Sequence, residues 1–75
     1  MRALVTGAGG FVGRYLVDHL IQHGDEVLAV TLDKISDPLP CKTEYFQITD
    51  LEACRKTIST FRPDVIYHLA GIAFG

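Results

Sequence analysis

The chain has no tryptophan, one methionine and only two cysteines in 75 residues. Cys41 and Cys54 stand apart with no C-x-x-C, which argues against a zinc ribbon or a disulfide framework and for two free thiols in a reducing compartment. Basic clusters are also missing, and the formal net charge is -2. The chain therefore lacks the electrostatic footprint of a nucleic-acid or anionic-membrane binder, and any phosphate it binds has to be held by local groups. No apolar run approaches the roughly 20 residues of a membrane span. The opening Met1-Arg2-Ala3-Leu4-Val5 is interrupted at Gly7 before a secretory apolar region forms, so the expected location is cytoplasmic. Repeats and low-complexity tracts are absent as well.

What is present is an ordinary globular composition, 48% hydrophobic and 21% charged. A domain of this size buries only about 60% of its unfolded surface, so it is expected to be marginal alone. It is also short for a two-half dinucleotide fold, which needs two βαβαβ units. The chain is organised around Thr6-Gly7-Ala8-Gly9-Gly10-Phe11-Val12-Gly13, set between an apolar run (Ala3-Leu4-Val5) and a segment with helical apolar spacing. Strand, glycine turn and helix in that order make an anion site. The first N–H groups of a helix have no intrahelical partner, and its dipole is positive at that end. Glycines fall at 7, 10 and 13, so the spacing is not the usual G-x-G-x-x-G, but the roles divide in the same way. Gly7 takes the tight turn out of the strand and Gly10 lets backbone approach a pyrophosphate. Gly13 allows close packing of helix on strand.

Taken in order, Arg2–Thr6 reads as a buried parallel strand. Phe11–His23 reads as an amphipathic helix (Val12, Leu16, Val17, Leu20, Ile21) closed by Gly24. Glu26–Leu32 is a second buried strand, and residues 33–43, with two prolines, a loop. Glu44–Ile48 reads as an edge strand. Thr49-Asp50-Leu51-Glu52 matches a capping box ahead of a helix that Arg62-Pro63 stops. Asp64–Leu69 is a fourth strand. The expected fold class is α/β: a Rossmann-like parallel sheet, first half only, in the order 3-2-1-4 with helices on both faces. All of residues 1–75 belong to it, and function is expected at the carboxyl ends of the strands near the switch point between strands 1 and 4.

Several side chains gather at that edge. Asp33 lies twenty residues beyond Gly13, where a carboxylate can accept from an adenosine ribose and repel a 2′-phosphate. Asp50 is explained as a helix cap, yet it also sits where an adenine amino group could be bonded. His19 and His23, four apart, lack a Glu after His19 and a third ligand, so they read as surface histidines. Tyr67 and His68 read as packing groups of a buried strand. Ala70-Gly71 suggests a wall where a ligand lies against backbone.

Thr-Gly-Ala-Gly-Gly-Phe-Val-Gly at 6 to 13, Asp50-Leu51 and His68-Leu69-Ala70-Gly71 together resemble the amino-terminal part of the extended short-chain dehydrogenase/reductase superfamily. These are NAD(P)-dependent epimerases, dehydratases and reductases of nucleotide sugars. Met-Arg-Ala-Leu-Val-Thr-Gly with Gly-Phe-Val-Gly-Arg-Tyr-Leu is especially similar to GDP-6-deoxy-4-keto-hexose reductases and GDP-mannose dehydratases. By that resemblance the backbone of Gly10, Phe11, Val12 and Gly13 holds the pyrophosphate and Asp50-Leu51 lines the adenine. Leu69-Ala70-Gly71 runs under the adenosine toward the nicotinamide ribose. The resemblance covers the whole chain but only the first third or less of such an enzyme, and it implies NAD as cofactor, with NADP the alternative. It also implies a nucleotide-sugar substrate and a homodimer at full length.

The sequence departs from the family's pattern in four places, one of them Gly71, where the turn commonly reads His-Leu-Ala-Ala. The acid expected in NAD users aligns at Thr31, the Arg common in NADP users aligns at Leu32, and the family's Tyr-x-x-x-Lys is missing, because neither Tyr15 nor Tyr67 has a Lys four residues on. General acid–base chemistry needs that pair, so residues 1–75 alone are expected to turn nothing over. The competing reading, from a different class, is a non-catalytic nucleotide-sensing or regulatory domain.

Overall fold

The structure is a computed structural model that describes residues 1–32 and 38–69. Its elements are β1 (Arg2–Thr6), α1 (Phe11–Gln22), β2 (Glu26–Thr31), β3 (Lys42–Tyr45), α2 (Leu51–Phe61) and β4 (Val65–His68). The four strands form one parallel sheet in the order β3-β2-β1-β4, as the sequence predicts.

Side chains alternate across the pleat, so each central strand feeds both faces. Ala3 and Val5 of β1 and Val27 and Ala29 of β2 join Val17 and Leu20 of α1 in one core. Leu4, Leu28 and Val30 point the other way and meet Phe61 of α2. Helices therefore cover both faces, and β1 and β2 are buried after their exposed first residues, Arg2 and Glu26, with apolar interiors (Ala3–Val5, Val27–Val30) that suit a strand covered on both sides.

Helix α1 ends in a Schellman motif: Asp25 N–H donates to Leu20 O at 3.1 Å, Gly24 N–H to Ile21 O at 2.9 Å, and Gly24 has φ +83°. Helix α2 ends at Arg62, which adopts the left-handed conformation at φ 55° just before Pro63. Asp64 then ties the chain to β1, donating its N–H to Arg2 O at 2.7 Å and accepting the Arg2 N–H at Oδ2 at 2.8 Å.

Two expectations change. The third strand is Lys42–Tyr45, not Glu44–Ile48. Its partner β2 ends at Thr31, opposite Tyr45, so pairing stops there apart from Phe46 N–H donating to Thr31 O at 3.2 Å. Phe46 and Ile48 look strand-like in sequence because they are apolar, but they belong to the loop after the strand. The cap of α2 is Asp50, as the sequence reading has it: Asp50 Oδ1 accepts the Ala53 N–H at 3.1 Å, while the Thr49 hydroxyl donates to Gln47 Oε1 at 3.3 Å. The other change is at β4, one of the two edges of the sheet among the described residues, which alternates between half-buried and exposed residues, so His68 is exposed instead of buried.

Candidate functional site

A cleft of about 470 Å³ opens over the carboxyl end of β2. The glycine turn (Thr6, Gly7, Gly9, Gly10) forms one side, and Phe46–Thr49, with Val30, Thr31 and Leu32, forms the rest. Its volume lies within the range of small-molecule pockets. None of the described lining residues is charged.

Backbone geometry builds the turn. Gly7 has φ +70°, a conformation that suits glycine. The N–H groups of Gly7 and Ala8 both donate to Val30 O, at 2.8 and 3.3 Å, which pins the turn to β2. Those two donors are spent, and the next belong to Gly9 and Gly10, both of which line the cleft. Gly10 is the N-cap of α1 and supplies no side-chain acceptor, so the first turn of the helix is uncapped. Gly13 is buried, and a Cβ there would fall 2.6 Å from Ala8 Cα and 2.8 Å from Gly7 O. The close approach is thus between helix and turn backbone, not between helix and strand as the sequence suggested.

The remaining expected residues are dispersed. The side chains of Phe11 and Val12 are exposed, and neither residue lines the cleft. Asp50 is committed to capping α2, Leu51 is exposed, and the cleft wall stops at Thr49. Leu69 is half-buried, and its N–H donates to Thr6 O at 3.1 Å. Asp33, Ala70 and Gly71 lie outside the described residues.

Some groups escaped the sequence reading. Gly9, Gln47 and Thr49 line the cleft, and the displaced third strand concealed the last two. Thr6 Oγ1 and His68 Nδ1 lie 2.8 Å apart, a side-chain tie between adjacent strand ends at the switch point. Thr6 is nearly fully buried, and this bond satisfies its hydroxyl. On the opposite side of the sheet from α2, burial pushes the Cys41 thiol above its ordinary value of 9.0 against weaker lowering by hydrogen bonds from Ala29 and Thr43. Cys41 and Cys54 are both free thiols. His23 Nδ1 donates to His19 O at 2.9 Å, and no group of three or more metal-ligating side chains occurs among the described residues.

A parallel sheet ordered 3-2-1-4, with a glycine turn feeding an uncapped helix at the switch point, defines a Rossmann-like nucleotide-binding half. Residues 3–75 match the NAD dependent epimerase/dehydratase family, and the chain belongs to that family. It is 38% identical over 80 residues to the UDP-glucose 4-epimerase of Mycolicibacterium smegmatis, a match covering 93% of this chain and 25% of that protein. It is 37% identical over 82 residues to a Sinorhizobium fredii protein named "Probable dTDP-glucose 4,6-dehydratase", covering 93% and 23%. Among solved structures, the Thermus thermophilus UDP-glucose 4-epimerase in complex with NAD superposes with a TM-score of 0.85 at 30% identity, over 97% of this chain and 25% of that one. The chain spans about a quarter of the length of the curated relatives it matches. Among the described residues, no helix is long and apolar enough to cross a membrane.

Proposed function

We propose that this chain is the cofactor-binding segment of an NAD-dependent epimerase, dehydratase or reductase acting on a nucleotide sugar, with the catalytic groups supplied by sequence outside residues 1–75. The observation that carries the reading is the uncapped start of α1, behind a turn whose first two donors are already spent on β2. Donors and dipole there are left for an anion, which suits a pyrophosphate. The backbone of Gly9, Gly10, Phe11 and Val12 would hold the diphosphate, with Gly7 and Gly13 keeping the turn in shape. The adenosine half would lie across Val30 toward Phe46–Thr49, and Leu69-Ala70-Gly71 would run beneath the cofactor. When bound, the nicotinamide supplies hydride exchange at a sugar carbon.

NAD is favoured over NADP because the described lining offers no cation to a 2′-phosphate, and Asp33 is assigned to the ribose by its place after β2. We assign Asp50 and Leu51 a supporting role, through the cap that fixes the end of the Phe46–Thr49 wall, with the adenine contact expected from resemblance as the part to be tested. The UDP- and dTDP-glucose specificities carried in the relatives' names support a nucleotide-sugar substrate. Those names make a GDP-sugar one option among several. A cytoplasmic location fits the two free thiols. A full-length homodimer rests on family resemblance.

Titration of the full-length protein with NADH and NADPH, followed by cofactor fluorescence, tests this. Tighter binding of NADH is expected; absence of binding would overturn the proposal, and preference for NADPH would overturn the use of Asp33. Residues 1–75 alone are expected to show no NAD-linked turnover, for want of Tyr-x-x-x-Lys. A full-length sequence without that pair would favour a nucleotide sensor instead.

A further inference from the structure

The cleft is chemically uneven. Its turn side offers backbone, the Thr6 hydroxyl being bonded to His68, whereas the β2–β3 side presents the apolar Val30, Leu32, Phe46 and Ile48 together with Thr31 and Thr49. Among these stands one carboxamide, Gln47. Gln47 is exposed, and the equally exposed Thr49 hydroxyl donates to Gln47 Oε1 at 3.3 Å, which engages the oxygen as an acceptor and leaves the Nε2 donors available. The backbone of the same turn is held as well, with Asp50 N–H donating to Gln47 O at 2.9 Å and Cys54 Sγ donating to Ile48 O at 3.3 Å. An amide donor beside apolar side chains matches a planar base with acceptor nitrogens on its edge. A phosphate would find no charge there, and a sugar would bring hydroxyls against apolar walls.

We infer that Gln47 is a specificity-determining residue that recognises the adenine base of the cofactor by donating from Nε2, and that Thr49 is the positioning residue that holds its amide in that orientation. This rests on the dinucleotide reading above and adds a contact that neither the glycine turn nor Asp33 supplies.

The test uses the full-length protein with two probes, NADH and reduced nicotinamide mononucleotide, which lacks the adenosine half. Gln47→Met, which removes both donors at similar length, is expected to weaken NADH about 5- to 10-fold, as loss of one hydrogen bond implies, and to leave the mononucleotide unchanged. Thr49→Val is expected to weaken NADH about 2- to 4-fold, again sparing the mononucleotide. Gln47→Glu, near-isosteric and without donors, is expected to match or exceed the loss in Gln47→Met. Unchanged NADH affinity in Gln47→Met, or equal weakening of both probes, would overturn the assignment of Gln47. Unchanged affinity in Thr49→Val would overturn the role of Thr49. Failure of the unmodified protein to bind NADH would instead sink the dinucleotide reading itself.

Discussion

Gly13 shows how far one missing methyl group shapes this site. The carbon absent from it would lie inside contact distance of the Ala8 and Gly7 backbone, and backbone in a turn already bonded to β2 has little room to give. Gly13→Ala is therefore expected to cost about 1–3 kcal/mol as overpacking. It should also weaken NADH binding by pushing the turn off its position. Urea unfolding and cofactor titration measure the two effects separately, and a neutral result in both would mean the turn moves freely. Gly7 is special for another reason, its positive φ. Motif spacing identified both positions as glycines with a purpose, but not that Gly13 meets the turn instead of the strand. Distances across a turn depend on how the helix is seated, which spacing does not encode.

At the scale of elements, the two helices begin in opposite ways. Asp50 caps α2 with its carboxylate, whereas Gly10 leaves α1 without a side-chain acceptor. Open starts of helices cost stability and gain an anion site. Gly10 has φ -82°, and a Cβ there would meet nothing within 4 Å, so a capping side chain fits. Gly10→Asp is expected to raise stability by a few tenths of a kcal/mol. It is also expected to weaken NADH binding on the order of tenfold, by placing a carboxylate where the diphosphate would sit. Thermal unfolding with and without NADH checks both signs; a variant that binds as well as the parent would remove the helix start from the site. The strand that moved, β3, belongs to this scale too. Its apolar continuation, Phe46-Gln47-Ile48, reads as strand by composition, yet strand pairing needs a partner and β2 has ended.

For the whole molecule, burial falls unevenly across the sheet. β1 and β2 are enclosed between the helices, while β4 is an edge in which Ile66 and His68 are exposed and a Thr6–His68 bond secures the end. Edge strands open more readily than central ones. Hydrogen exchange on residues 1–75 is expected to protect the amides of Leu4 and Val5 at least about tenfold more than that of Ile66. Equal protection would mean that the sheet opens as one unit.

The sequence by itself determined the class and order of the elements, since unbroken apolar strands, a helical apolar period, Gly24 after α1 and Pro63 after α2 are local signals with few alternatives. It also located the glycine turn. Tertiary structure decided where β3 stops, that His68 is exposed at an edge strand, and that Phe46–Thr49 faces the turn across a cleft free of charged side chains among its described residues. Those outcomes depend on pairing and packing between segments far apart in the chain, and such contacts exist only once the sheet has formed.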